Sequence, residues 1–311
     1  MGSKNTSKRE VQGNITHPKK WSILQIFSFS SVFLISVLFA SNYNTSDTLI
    51  RRFSDNVFTY TWSRMSPFSD KSLEKHKSEL FKQVSGNVLE IGPGLGTTLK
   101  YLSIDNIDKL VQVEPNQAFY PKLRQEALRL GYQVKYITNE SPNIPIPPAA
   151  ESEASQQDGN AKEMSAKISK NMLIYNGTLE DAEGNPTPSL VANGPYDSII
   201  SSLVLCSVDN VETTVNSIAF LLKPGGKFYF LEHVTADKPI TPFEHLIYYT
   251  QRLITPIWGL VSGNCHLNRD SGTIISSSQY FTNVKVSPIS TNKSSFFESL
   301  APFIYGTAER V

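Results

Sequence analysis

The chain is poor in the residues from which disulfide frameworks and metal centres are built. Only two cysteines, Cys206 and Cys265, occur in 311 residues. That number excludes the dense cross-linking of a small secreted domain and leaves a single disulfide or, as the expectation, two free thiols. The five histidines, His17, His76, His233, His245 and His266, are scattered. No HExxH or CxxC spacing occurs, so no metal is expected. A surplus of charge is missing too. Lys and Arg number 29 against 28 Asp and Glu, which argues against a nucleic-acid partner. What remains is an ordinary globular balance of 40% hydrophobic and 18% charged residues. A core of roughly 200 residues can bury most of its apolar surface.

One stretch lacks charge altogether. Residues 1–20 are polar and basic, and the following Trp21–Ala40, WSILQIFSFSSVFLISVLFA, holds no ionisable side chain. About 20 helical residues match the hydrocarbon thickness of a bilayer, and Trp21 suits its interface. A secretory signal would have a shorter apolar region and a small-x-small cleavage site, which this segment fits poorly. We therefore expect a retained membrane helix at 21–40. Residues 41–86 read as a helical lead-in, with Phe53, Val57 and Tyr60, then Leu73, Lys77 and Leu80, at helical spacing. Such a helix would cover a ligand cleft or pad a sheet.

From Asn87 short apolar runs alternate with helices. Asn87–Ile91, Leu110–Glu114, Met172–Asn176, Asp197–Ser202 and Lys227–Glu232 read as strands, with helices at Pro121–Leu130 and Val211–Leu222. This alternation predicts an α/β fold with a parallel sheet. Phe281–Ile289 and Phe303–Ala308 have no long helix between them, which predicts a closing antiparallel hairpin. Residues 139–170 are rich in Pro, Ser, Ala, Glu and Lys, too polar to offset their ordering entropy, and are expected to be a disordered insertion.

The chemistry gathers at strand ends. In Glu90-Ile91-Gly92-Pro93-Gly94-Leu95-Gly96 a strand runs into glycines that let backbone turn sharply and approach a ligand. The spacing is GxGxG. The dinucleotide fingerprint would need glycine at position 97, where Thr97 stands. Glu90 is placed to receive a positively charged amino group and would repel a pyrophosphate. Glu114 in Val113-Glu114-Pro115-Asn116 follows after one strand–helix–strand unit, and an acid there accepts hydrogen bonds from ribose hydroxyls. Gly177-Thr178-Leu179-Glu180-Asp181 should line an adenine, with Glu180 the better contact. Asp197 to Val208 ends at the switch point of the sheet, and the Leu222–Phe230 segment leads to Glu232-His233.

Taken in order, these pieces resemble a class I S-adenosylmethionine-dependent methyltransferase over residues 87–311. Within that superfamily the chain is similar to the membrane-bound methyltransferase-like group that includes the alkyl thiol methyltransferases of the endoplasmic reticulum and lipid droplets. Glu114-Pro115-Asn116, Leu203-Val204-Leu205-Cys206-Ser207-Val208, Pro224-Gly225-Gly226, Glu232-His233-Val234, Trp258, Cys265-His266-Leu267-Asn268-Arg269 and Ile304-Tyr305-Gly306 carry that similarity. The insertion at 139–170, glutamate rather than aspartate before Pro115 and an extra residue before Cys265 depart from it.

The resemblance implies a Rossmann-like, seven-stranded, mostly parallel sheet and S-adenosyl-L-methionine as cofactor. Glu90, Gly92, Gly94, Gly96, Glu114, Asn116, Glu180 and Leu203 would bind it. His233 is the candidate base or orienting group, and Cys206 and Cys265 are read as packing residues. The expected acceptor is a small apolar thiol. A lipid head group, a quinone-like ring, or cofactor binding without catalysis are the alternatives. The aromatic-rich Thr241–Ser262 would form a pocket lid, a membrane patch or core padding. Met1-Gly2-Ser3-Lys4-Asn5-Thr6 fits the myristoylation pattern. The basic tail favours a cytosolic N-terminus. A shallow insertion of Trp21–Ala40 would let the catalytic domain face the cytosol at the endoplasmic reticulum or lipid droplet.

Overall fold

Continuous apolar runs in the central strands dictate a layered arrangement, because successive side chains of a strand point to opposite faces and both faces must then be covered. In β1 (Gly86–Ile91) Val88 and Leu89 are both fully buried, so both faces of the sheet are covered. The computed structural model describes residues 48–137, 170–289 and 299–311. These lie in one compact unit spanning Thr45–Val311. The basic tail, the Trp21–Ala40 segment and positions 139–169 of the expected insertion lie outside the described residues. Among the described residues no helix is long and apolar enough to cross a membrane.

The chain opens with α1 (Thr48–Phe81), followed by β1, β2 (Ile107–Val113), α2 (Tyr120–Arg129) and β3 (Tyr132–Ile137). Next come β4 (Lys170–Tyr175), α3 (Pro188–Asn193), β5 (Tyr196–Ser202), α4 (Val211–Leu221) and β6 (Leu222–His233). After β6 the chain forms α5 (Pro242–Val261), α6 (Ser271–Ser277), β7 (Phe281–Ile289) and β8 (Phe303–Arg310). The strands form one sheet in the order β3-β4-β2-β1-β5-β6-β8-β7. β1 to β6 pair in parallel, and β8 lies antiparallel between β6 and β7. The parallel sheet and the antiparallel closing pair agree with the sequence expectation.

The strand number does not. Eight strands form the sheet where seven were expected, and the extra one is β3. Its sequence YQVKYI alternates polar and apolar side chains, and it pairs only with β4. Such a strand lacks the continuous apolar run of a central parallel strand. Lys170, read as the end of the insertion, instead opens β4.

Two apolar layers hold the helices on. On one face Leu89, Val111, Ile199 and Phe228 pack with Val215 and Ile218 of α4. On the other Val88, Leu110, Ile200 and Tyr229 pack with Leu73, Leu80 and Phe81 of α1 and Leu123 and Ala127 of α2. Each fully buried side chain of this size contributes about 1.5–3 kcal/mol of transfer free energy. α1 is fastened further by a charge cluster around the buried Asp70 and Lys77. Asp70 accepts from Lys77 Nζ at 2.9 Å, Lys100 Nζ at 2.6 Å and the Tyr101 hydroxyl at 3.0 Å.

Candidate functional site

The strand order reverses at β1, whose neighbours are β2 on one side and β5 on the other. In open α/β sheets ligands bind at such a switch point, beyond the carboxyl ends of the strands. Those ends here are Ile91, Val113 and Ser202. They deliver the glycine loop, Glu114 and Leu203 to one place, as the sequence motifs require.

Gly92, Gly94 and Gly96 all take positive φ, at 58°, 54° and 77°. A Cβ on Gly92 would meet Val204 Cγ2 at 2.7 Å, so a side chain there would collide with the loop after β5. A Cβ on Gly94 would stand 3.5 Å from Trp62 Nε1, which is ordinary contact. The left-handed backbone, rather than a clash, is what demands glycine at that position. Trp62 of α1 therefore stands over the glycine loop.

Glu114 is buried, and its carboxylate accepts from Gly94 N–H and from Asn116 N–H, both at 2.9 Å. Burial pushes its carboxyl up to about 7 against the pull of those two amides. Asn116 caps the turn after β2 by accepting from Ala118 N–H, and its Nδ2 donates to Asp55 O and Thr59 Oγ1 of α1. Phe58 makes an edge contact with Phe119 and stacks near Trp62. The later turns of α1 pad the sheet, and Asp55, Phe58, Thr59 and Trp62 reach the glycine loop and the turn after β2.

Glu90 lies opposite Gln112 in the β1–β2 register and accepts from its Nε2 at 2.7 Å. Burial raises its carboxyl to about 7, opposed by hydrogen bonds from Thr98 and Gln112. Glu180 turns toward α4. Burial raises its carboxyl, while the Thr214 and Ser217 hydroxyls hold it down, and its Oε1 is buried with no partner among the described residues.

The loop after β5 is organised by a residue that the sequence reading mentioned only as a strand end. Glu232 on β6 is fully buried and accepts from Ser201 Oγ at 2.5 Å, Val204 N–H at 2.9 Å and Leu205 N–H at 3.1 Å. Burial raises its carboxyl to about 8. Leu203, clamped between these bonds and its own N–H to Leu231 O, adopts a left-handed φ of 62°. The segment after α5 wraps over the same loop. His266 N–H donates to Cys206 O, Asn264 Nδ2 to Ser207 O, and Arg269 Nη1 to Leu205 O and Val208 O.

That wrapping gathers three side chains which sequence spacing kept apart. Cys206, His233 and Cys265 are all buried, with their sulfur and nitrogen atoms within 4.8 Å of one another. His233 Nε2 lies 2.9 Å from Cys265 Sγ, and Trp258 Nε1 donates to the same sulfur at 3.4 Å. His233 Nδ1 is buried with no partner among the described residues. Both cysteines are free thiols. A hydrogen bond with Cys206, ahead of the opposing effect of burial, brings the Cys265 thiol below its usual range. That bond and burial push the Cys206 thiol up. The aromatic insert is α5. It turns Ile247, Gln251 and Thr255 inward and leaves Phe243, Leu246, Tyr249 and Leu253 on an exposed side.

A family model described as a methyltransferase domain matches residues 65–274. The chain belongs to the methyltransferase-domain family. Its cofactor is S-adenosyl-L-methionine, and the site fits it. The glycine loop leaves room for close backbone approach. Each Glu114 oxygen already accepts one amide and keeps a further lone pair for a ribose hydroxyl. Among known proteins, the human thiol S-methyltransferase TMT1A is 36% identical over 118 residues, covering 38% of this chain and 45% of the relative. That match thus spans less than half the relative's length. Thiol S-methyltransferase TMT1B of Rattus norvegicus is 22% identical over 231 residues, 72% of this chain and 75% of the relative. Among solved structures, the N-methyltransferase NodS of Bradyrhizobium japonicum WM9 gives a TM-score of 0.39 at 14% identity, covering 78% of this chain and 96% of that one.

Proposed function

We propose that this methyltransferase methylates small apolar thiols at a membrane surface. The observation that carries the acceptor class is the likeness to thiol S-methyltransferases, 36% identical to TMT1A over its matched segment. Bound S-adenosyl-L-methionine supplies an electrophilic methyl group on a sulfonium. The chain's own residues do the positioning, and good orientation alone supplies roughly 7–11 kcal/mol of such a barrier. In this reading Glu114 accepts the ribose hydroxyls and Asn116 fixes the turn that aims it. Glu90 receives the amino group, Glu180 serves the adenine end, and Leu203 flanks the methyl donor. A thiol with a pKa near 8.5 is about a few per cent thiolate at neutral pH, so His233 has only to orient it or take a proton.

The uncharged Trp21–Ala40 segment supports membrane attachment, and the exposed apolar side of α5 supports work at a surface. We place the domain on the cytosolic side of the endoplasmic reticulum or a lipid droplet. The sequons at Asn44, Asn139, Asn176 and Asn292 test this placement, since glycosylation is lumenal. An endoglycosidase-sensitive mass shift traced to Asn139 or Asn292 overturns it.

The test of function is labelled-methyl transfer to a panel of alkyl thiols, phospholipids and quinones. Label on thiols alone supports the proposal. Label on lipids or quinones and on no thiol replaces it, and cofactor binding without any transfer makes the chain a binding protein.

A further inference from the structure

We propose that Cys206, His233 and Cys265 form a three-ligand site for one tetrahedral zinc-type ion, whose open fourth position takes the sulfur of the acceptor. The second half of this statement rests on the thiol reading above.

The donor set is right for such an ion. Two thiols and an imidazole are the ligands zinc favours, and Cys2His with an open fourth position is an established catalytic set in other folds. The three ligand atoms are mutually within 4.8 Å and come from three separate elements. Cys206 lies in the loop after β5, His233 ends β6, and Cys265 follows α5. Each is anchored independently. The Cys206 backbone oxygen accepts from His266 N–H, His233 is held in the β6–β8 ladder opposite Phe303, and Cys265 N–H donates to Ser262 O. Such anchoring preorganises a site before any ion arrives. Zn–N and Zn–S bonds of about 2.0 and 2.3 Å place tetrahedral ligands about 3.6 Å apart. The His233–Cys265 separation of 2.9 Å must therefore open slightly when the ion enters.

No fourth Cys, His, Asp or Glu atom joins the group among the described residues. Structural zinc sites close with four protein ligands, whereas catalytic ones leave a position for water or substrate. Location supplies the substrate. The cluster sits at the carboxyl ends of β5 and β6, and Val204, two residues before Cys206, packs where a Cβ of Gly92 would be. An acceptor thiol entering there gives up its proton to solvent, and its sulfur fills the open position as thiolate. A coordinating thiol is deprotonated outright, so in this proposal His233 acts as a metal ligand in place of the orienting or proton-accepting role given to it above.

The test uses the full-length chain in detergent, stripped with chelator and reloaded with zinc or cobalt. Elemental analysis should find one zinc per chain, and competition with a chromophoric chelator should show affinity weakened roughly 100-fold or more in Cys206→Ser and Cys265→Ser. Because a variant can fail to fold, the wild-type cobalt protein gives a second reading. Its spectrum should show tetrahedral cobalt with sulfur-to-metal charge transfer from two thiolates, rising toward three when propane-1-thiol is added. A folded wild-type chain that retains no metal, or that holds cobalt without thiolate bands, overturns the site. Methylation of thiols by the metal-free chain overturns the role of the ion in taking the acceptor and leaves the thiol reading standing. A cobalt spectrum unmoved by propane-1-thiol overturns the open-position role. A third sulfur band in a chain that methylates no thiol supports the site and removes the reading of function.

Discussion

Gly94 donates its backbone N–H to the carboxylate of Glu114 at 2.9 Å, joining two motifs 20 residues apart. The glycine loop and the acid after β2 are thus one unit before any cofactor binds. Glu114→Ala removes the partner of two buried amides as well as the proposed ribose acceptor. The expected result is loss of S-adenosyl-L-methionine binding by calorimetry while circular dichroism stays native, at a stability cost of about 1–3 kcal/mol per orphaned amide. Unchanged cofactor affinity would remove Glu114 from the site.

The same residue sets a pH dependence. Its carboxyl is raised by burial from 4.5 to about 7, so between those values the folded chain holds a proton that the unfolded chain has lost. Stability therefore declines as pH rises from about 4.5 through about 7. Cofactor binding runs the other way, because ribose donors favour the carboxylate. Affinity should weaken by up to about tenfold per unit below pH 7 and level off above it. Glu90, raised to about 7 and assigned to a cationic amino group, adds to the same trend. An affinity that is flat from pH 5.5 to 8 contradicts ionised acceptors at this site.

Trp62 is expected to act on the cofactor through the loop it covers. Trp62→Ala should weaken cofactor binding about tenfold while costing little stability, since Trp62 is only half-buried. Gly94→Val should abolish binding. It forces a β-branched residue into φ 54°, with its Cβ 3.5 Å from Trp62 Nε1. Equal cofactor affinity in Trp62→Ala and wild type, measured by fluorescence or calorimetry, would confine α1 to packing the sheet.

Glu232 should prove a stability residue with a functional consequence. Glu232→Ala strands the amides of Val204 and Leu205 and the Ser201 hydroxyl, at a cost of about 3 kcal/mol or more. Glu232→Gln keeps one acceptor and should lose less than half of that. Chemical denaturation ranks the two, and similar midpoints for both variants would refute the clamp.

Asp70 fastens α1 to the segment following the glycine loop. Asp70→Ala leaves Lys77 charged and buried, which costs about 3–5 kcal/mol. Pairing it with Lys77→Met should recover most of the loss, read as a return of the urea midpoint at constant slope. Burial opposes ionisation of Asp70, yet bonds from Lys100 and Lys77 hold its carboxyl below 3.8. Its contribution is present above that value and fades as pH falls below it.

Legibility in the sequence followed locality. The glycine loop, Glu114 and the turn at Asn116 are short contiguous signals at strand ends, and each stands where the sequence placed it. β3 was missed because an edge strand with one partner carries polar alternation, not an apolar run. Trp62 and Thr59 could not be assigned, since helical spacing says which side chains share a face and not what that face meets. The three residues Cys206, His233 and Cys265 are far apart in the chain, and only the wrapping of the segment after α5 over the β5 loop makes them neighbours. No local pattern encodes such a long-range closure.

The interior position of β8 bears on how the protein is made. β6 is complete at His233, but the strand that covers its free edge is Phe303–Arg310, roughly 70 residues later. At ribosomal speeds of about 5–20 residues per second, that edge stays open for several seconds of synthesis. An unpaired central strand of this apolar character is a template for wrong pairing with another chain. A nascent polypeptide stalled between α6 and β8 should accordingly require chaperone occupancy, while one that has emerged past Arg310 should release it.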